Sequence, residues 1–550
     1  MAQLSLRDKR ILLVEDQRPF LILLRGIVSN LGAKSVVTAQ SSEAAITSCK
    51  NERFDFIICD LHLGSDRKNG FQLLEEIRLR KLVKPTTVFI MISADSERPM
   101  VLGSLEKQPD EYLIKPFSQA QLQNRIARAF AKKQALAPVY ERIMMSDYKA
   151  AIEVCRDLIK SGNRYSQACS QLLAEMYWRT KQYDEAEHML KALLEHKPLN
   201  WVKLCMARTM LLKKKYMEAS NFANQVIKAN KLTVEGYDIL AQCYLHQDMK
   251  IDAEKTINRA LELSPMSLDR HFIACEIARD NHNYDMLKTS CQAIWEQSKR
   301  SIHRDVAHLC TYIRSIVDIA EHSDEKRKKN RAQQEAMLVL QRSRTDEAVL
   351  RLEDDFDYDS FEQIISARIS VIDGKLIEAK RNLATSQRQI ETKFQHYPIA
   401  LAPDSIKVMF DLGEYEEASS LLSLIEKNEK PLDRNTLAMV SDEKNKSAKQ
   451  QSMYSKHNGD GMRLFNEGKY EAALDEFRKA QQIAPVNTSV AINMLQSILK
   501  ILDMRHKVDY ALVGELKKTY RLLDGLPLNS RHQQKLDEIQ HEITQYLEQK

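Results

Sequence analysis

Hydrophobic positions fall into two regimes along the chain. Over the first 125 residues, short apolar runs alternate with amphipathic stretches. Ile11 to Val14, Ser35 to Thr38, Phe54 to Cys59, Thr87 to Ile92 and Tyr112 to Ile114 are each too short for a helix and rich in β-branched or aromatic residues. Between or after them, Arg18 to Leu31, Ser41 to Asn51, Gly70 to Leu79 and Gln119 to Leu136 carry apolar residues at helical spacing. Alternating strand and helix predicts a parallel, doubly wound sheet with helices on both faces. From about residue 138 the strand signal disappears and helical periodicity takes over.

In a doubly wound sheet, ligands bind beyond the carboxyl ends of the strands. The first strand runs into Glu15-Asp16, the third into Asp60, the fourth into Ser93 and the fifth into Lys115-Pro116. Three carboxylates, a hydroxyl and an ammonium are therefore expected on one edge. Carboxylates so crowded need a compensating cation, and hard oxygen donors suit Mg²⁺. A lysine beside them can hold a phosphoryl oxygen.

The segments ILLVEDQ, IICDLHL, FIMISAD and YLIKPF, in that order, resemble the receiver (CheY-like) domain of bacterial two-component response regulators, over about residues 8 to 133. The resemblance implies a flavodoxin-like fold in which Asp60 is the phosphoacceptor, taking its phosphoryl group from a histidine kinase or a phosphotransfer protein. It further implies that Asp16, Asp60 and the backbone carbonyl of His62 bind Mg²⁺, with Glu15 acting through a bound water. Lys115 pairs with the phosphoryl oxygens, Ser93 moves to hydrogen-bond them, and Tyr112 swings inward as the aromatic switch residue. The loop after the acceptor, Leu61 to Gly70, is two residues longer than the family pattern and lacks its proline. That places the His62 carbonyl and the lifetime of the phosphorylated state in question.

The remainder contains an internal repeat. Leu173-Ala174, Tyr177, Tyr183, Ala186, Leu190 and Pro198 return two units later as Leu240-Ala241, Tyr244, Ala253, Ile257 and Pro265. Intervening and following units carry Met206-Ala207, Tyr216 and Ala219, then Cys275, Ala278, Tyr284 and Leu287. Gly461, Leu464, Tyr470, Ala473, Phe477, Ala480 and Pro485 repeat the spacing near the end, with weaker units around Tyr148, Ala379 and Tyr415. The pattern resembles the tetratricopeptide repeat, a helix pair whose small residues allow close crossing, stacked into an all-α superhelix. Such an array implies a groove for an extended peptide or a partner helix.

The organisation expected is a receiver at 1–133, repeats at 138–320, a charged helix with degenerate repeats at 321–440, a polar linker at 441–457, and a last repeat with capping helices at 458–550. The charged stretch 325–331 reads as a solvated helix face, and the acidic stretch 353–359 as a loop and helix start. The latter lacks the glycine and terminal glutamate of a calcium loop.

Composition narrows the function. With 14 glycines and 13 prolines in 550 residues, turn-makers are scarce, as a helical array requires. The net charge of +6 is shared between the first 125 residues and the rest, so no basic domain marks a nucleic-acid surface. Nine scattered cysteines form no CxxC pair and read as reduced packing residues. No apolar run is long enough to span a bilayer and the amino terminus has no export pattern, which predicts a cytoplasmic protein without membrane contact. The repeats contain no Walker loop, G-x-S-x-G elbow or HExxH motif. The expectation is a phosphorylation-regulated response regulator that is not an enzyme beyond the receiver's own phosphoryl chemistry. Its output is protein binding through the repeats, to a signalling partner such as a cyclic-di-GMP enzyme, and a homodimer is left open. The alternative is a transcriptional regulator binding DNA through an unrecognised C-terminal module.

Overall fold

A computed structural model describes residues 6–548, except 65–66, 95–102, 104–105, 107, 347–348, 350–355, 428–431, 433, 506–508, 525, 527 and 529. The chain divides into two compact units, residues 1–305 and 306–550. The break therefore falls at the start of a helix, Val306–Glu321, and not after residue 320 as the sequence pattern suggested.

The first unit opens with β1 (Arg10–Val14), α1 (Arg18–Asn30), β2 (Ser35–Ala39), α2 (Ser42–Asn51), β3 (Phe56–Asp60), α3 (Gly70–Leu79), β4 (Val88–Ser93), β5 (Glu111–Ile114) and α4 (Gln119–Ala135). The strands form one five-stranded parallel sheet in the order β2-β1-β3-β4-β5. Successive strand side chains point to opposite faces, and both faces are covered. Leu12, Val14, Ile57, Cys59, Phe89 and Met91 pack on one side against α2 and α3. Ile11, Leu13, Phe56, Ile58, Ile90 and Ile92 pack on the other against α1 and α4. Two-sided burial explains why these strands read as unbroken apolar runs. Capping side chains set the helix starts: Ser41 accepts from the Ala44 amide, while Asn69 with Gln72 and Ser118 with Gln121 form reciprocal capping boxes.

Helices follow without a break: α5 (Ala137–Met144), α6 (Tyr148–Lys160), α7 (Ser166–Arg179), α8 (Tyr183–His196), α9 (Asn200–Leu212), α10 (Tyr216–Ala229), α11 (Val234–His246), α12 (Lys250–Leu263), α13 (Leu268–Asp280) and α14 (Tyr284–Ser298). From α7 on they pair through tight turns, and Ala174, Ala186, Ala207, Ala219, Ala241 and Ala253 are fully buried where helices cross. Each turn reverses through a left-handed residue, at Lys181, Lys214, Asp248 and His282. None is glycine, so the shortage of glycine does not mean a shortage of turns.

The second unit comprises α15 (Val306–Glu321), α16 (Lys326–Ser343), α17 (Tyr358–Ile372), α18 (Leu376–Lys393), α19 (Ala402–Leu412), α20 (Tyr415–Glu426), α21 (Arg434–Asn466), α22 (Tyr470–Ile483), α23 (Thr488–Met504), α24 (Tyr510–Leu523) and α25 (Ser530–Glu548). One apolar core runs from Ala367 to Ile543. Here glycines serve as the left-handed turn residues, at Gly374, Gly413 and Gly468. Gly461 has a different cause: a Cβ there would lie 2.6 Å from the Phe477 ring.

The linker expected at 441–457 is instead the middle of α21, a 33-residue helix. Its inward polar residues are buried because other helices satisfy them. Glu443 pairs with Lys407 at 2.9 Å, Tyr454 donates to Glu416 at 2.9 Å, and Asn458 bonds Asn493 at 3.1 Å. A polar face packed on polar partners has no hydrophobic period, and so reads as a linker. The charged stretch at 325–331 lies at the start of α16, mostly exposed. Of the acidic stretch, 353–355 lie outside the described residues, while Asp357 caps α17 by accepting from the Ser360 amide at 2.9 Å. Gly525 and Pro527, within the expected C-terminal capping region, also lie outside them. Among the described residues, no helix is long and apolar enough to cross a membrane.

Candidate functional site

The carboxyl edge of the sheet, where β1 and β3 lie adjacent and their connections leave to opposite sides, gathers the predicted side chains. The residues after β1 and the last residue of β3 bring Glu15, Asp16 and Asp60 together, with one carboxylate oxygen from each within 4.8 Å of the others. Glu15 is fully buried; its amide donates to the Ala39 carbonyl at 3.0 Å and its Oε1 accepts from the Gln17 amide at 3.2 Å. From the end of β5, Lys115 Nζ donates to Glu15 Oε2 at 2.9 Å and to Asp60 Oδ2 at 2.8 Å.

One ammonium among three carboxylates leaves an imbalance, and the protonation equilibria register it. Burial, reinforced by the charge on Asp60, pushes Glu15 up to about 7 against the pull of Lys115. Burial alone would lower Lys115, but its hydrogen bonds to Asp60 and Glu15 outweigh it and raise the ammonium above its ordinary value. Asp16 Oδ1 is buried and has no hydrogen-bond partner among the described residues. An orphaned carboxylate oxygen beside two further carboxylates fits a hard divalent cation.

Ser93 ends β4 with its side chain buried, and its carbonyl accepts from the Lys115 amide at 2.7 Å. Tyr112, on β5, is half-buried and packs against the α2–α3 face of the sheet. The His62 side chain is exposed beside the site. The edge thus brings Glu15, Asp16, Asp60 and Lys115 into one cluster, with Ser93 at the end of the neighbouring strand.

The longer loop after Asp60 closes on glycine. The Gly70 amide donates to the Leu61 carbonyl at 2.8 Å, and a Cβ on Gly70 would lie 2.6 Å from the carbonyl oxygen of Asp60 itself. Any larger residue would displace the backbone that carries the acidic side chain. Earlier in the loop, Gly64 adopts φ 98°; Ser65 and Asp66 lie outside the described residues.

One contact had no sequence signal. The Lys115 ammonium sits 3.9 Å from the centroid of the Phe20 ring on α1, and Phe20 packs edge-on against Phe117. Phe20 is the one aromatic residue of Arg18–Asn30, but periodicity along the chain does not say that its ring leans over the edge rather than into the core.

The family model for the response regulator receiver domain matches residues 11–127. Among curated proteins, the alkaline phosphatase synthesis transcriptional regulatory protein PhoP of Bacillus subtilis is 30% identical over 134 residues, which are 24% of this chain and 53% of PhoP. The chain thus spans about half the length of that relative. Chemotaxis protein CheY-3 of Vibrio cholerae is 25% identical over 126 residues, 23% of this chain and 95% of CheY-3. Among solved structures, a CheY-like receiver domain protein from Methanospirillum hungatei is 26% identical, covering 23% of this chain and 96% of that one, with a TM-score of 0.21. The receiver domain of a Pseudomonas aeruginosa sensor histidine kinase, with magnesium coordinated in its active-site cleft, is also 26% identical, covering 22% and 98%, with a TM-score of 0.20. With its parallel five-stranded sheet and the acidic edge at Glu15, Asp16 and Asp60, the segment from residue 11 to 127 is a response regulator receiver domain.

Proposed function

We propose that this protein is a phosphorylation-regulated response regulator whose output is protein binding through its helical repeats. The observation that carries the proposal is the cluster of Asp60, Glu15 and Asp16, with Lys115 hydrogen-bonded to the first two and one oxygen of Asp16 without a partner among the described residues. A carboxylate of Asp60 attacks the phosphorus of a phosphohistidine on a histidine kinase or phosphotransfer protein. A P–O bond forms on Asp60 as the donor's P–N bond breaks, and the imidazole leaves. Lys115, already hydrogen-bonded to Asp60, remains to hold a phosphoryl oxygen. In this reading Ser93, at the end of β4, turns toward the new anion and Tyr112 follows it. Asp16, Asp60 and the His62 carbonyl would hold Mg²⁺, with Glu15 acting through water; when bound, the ion supplies positive charge against the crowded oxygens.

The repeated helix pairs of residues 166–298 support the second half of the proposal, a tetratricopeptide-like array that works as a binding surface rather than a catalyst. The similarity to PhoP spans 134 residues, 24% of this chain, and carries no information on the output of the rest.

Incubating the full chain with acetyl phosphate and Mg²⁺ should give a single phosphoryl adduct by intact-mass spectrometry. Asp60→Ala and chelation of the metal should each abolish it. Addition of beryllofluoride should alter protease cleavage within the repeats of the wild type but not of the Asp60→Ala variant. An adduct that persists in that variant, or cleavage indifferent to Asp60, would overturn the proposal.

A further inference from the structure

Between β4 and β5, Gly103 and Glu106 are helical residues seated on the repeats of the same compact unit. Arg270, in the first turn of α13, is only 1% exposed. Its Nη2 donates to Glu106 Oε1 at 2.5 Å, and its Nη1 reaches Glu106 Oε2 at 3.3 Å. The same guanidinium donates from Nε and Nη2 to Asp238 on α11, both at 2.7 Å, and from Nη1 to the Ser264 carbonyl. Ser264 Oγ adds a 2.7 Å bond to Glu106 Oε2. Beside this, a Cβ on Gly103 would lie 3.5 Å from both Met266 Cβ and Ser264 Oγ, so the backbone at Gly103 lies close to the repeats.

The repeats by themselves contribute all of this slot except one carboxylate. Asp238 holds one edge of the Arg270 fork, the Ser264 hydroxyl is aimed at the other, and Met266 forms an apolar shelf. A buried guanidinium with a vacant edge requires a planar anion, and a carboxylate meets that fork in bidentate fashion. Residues three apart share one face of a helix, so Gly103 and Glu106 present a small residue to the shelf and an acid to the fork together. The slot therefore selects a helix bearing a small residue three positions before a glutamate.

We infer that this slot on α11–α13 is the output surface of the repeats, that it binds a helix of a partner protein carrying that small-x-x-Glu pattern, and that the receiver's Gly103 and Glu106 occupy it in the structure described. The closure is intramolecular, so it acts at an effective concentration in the millimolar range and excludes a partner of ordinary affinity. Its control rests on the reading of Asp60 as phosphoacceptor: β4 ends at Ser93 in the acidic site, and the same connection leads on to Glu106.

The test uses the full chain and a fluorescein-labelled synthetic peptide of residues 99–110 as the probe. Glu106→Ala should bind the peptide at least ~10-fold more tightly than wild type, because the competing acid is gone. It should also raise hydrogen exchange at residues 264–271. Adding Arg270→Lys to that background keeps the charge but removes the fork, and should weaken the peptide again by ~10-fold. A peptide with its own glutamate replaced by glutamine should bind no better to Glu106→Ala than to wild type. Equal binding by wild type and Glu106→Ala, or indifference to Arg270→Lys, overturns the inference. If Glu106→Ala opens the slot while beryllofluoride on the wild type does not, the slot stands and its phosphorylation control falls.

Discussion

The receiver domain and the unit of residues 306–550 both bury clusters of charge, and the two clusters are balanced in opposite ways. In the second unit, Arg314 chelates Asp404, Arg368 bridges Asp404, Asp318 and Glu321, and Lys407 joins Glu321 to Glu443. Every one of those four carboxylates meets at least one cation, and Arg368 and Asp404 are entirely shielded from solvent. At the receiver edge the Lys115 ammonium pairs with Glu15 and Asp60, and Asp16 lies beside them with one oxygen that has no hydrogen-bond partner among the described residues. A network with a cation on each of these carboxylates fixes how helices pack; an edge short of positive charge has room for a cationic ligand. The same residue types serve structure in one place and chemistry in the other, and the difference is the local count of partners.

The sharpest way to break that comparison is to make the same change, carboxylate to amide, in each cluster. Asp404→Asn should destabilise the second unit by about 3–5 kcal/mol, because Arg314 and Arg368 are left as buried charges short of a counter-ion. Hydrogen exchange resolved by segment checks this, and a loss confined to less than about 1 kcal/mol would place the network among decorative ion pairs. Asp16→Asn should leave receiver stability unchanged or raised by up to ~1 kcal/mol, since it relieves like-charge repulsion. It should weaken Mg²⁺ binding at least ~10-fold by titration calorimetry, because a hard ion loses one of its anionic ligands.

The smallest effect is a pH dependence. Folded Glu15 keeps its proton up to about 7, whereas its ordinary value is 4.5. Between those limits the native state binds more protons than the unfolded one, so receiver stability should decline as pH rises from 4.5 to 7 and level off above. Glu15→Gln should flatten the profile. Urea denaturation of the metal-free chain, followed at receiver amides by pulsed hydrogen exchange, measures it; an unchanged slope in the variant would mean that the carboxylate excess is not felt as an electrostatic load.

The receiver's sheet and most of its acidic edge were legible because one rule links sequence to placement. A buried parallel strand is a continuous apolar run, and the residue that follows it stands at the binding edge. That rule located Glu15, Asp16, Asp60, Ser93 and Lys115. It gave no information on Phe20, whose position over Lys115 depends on how α1 lies against the sheet. The middle of α21 was misread for a related reason: Glu443, Tyr454 and Asn458 look like solvent residues until their partners on other helices are known.

By itself, then, the sequence determined the alternation of strand and helix in the first 125 residues, the convergence of the acidic residues, and the change to helical periodicity beyond residue 138. Each depends on spacing along the chain. Only the tertiary structure decided which polar residues are buried in satisfied pairs, that the chain divides at residue 305, and that Arg270 meets Asp238 from its own repeats and Glu106 from the receiver. Glu106 and Arg270 are 164 residues apart. No local pattern encodes a contact between positions so far apart; it exists because folding desolvates both groups at one place, where each is the other's replacement for water.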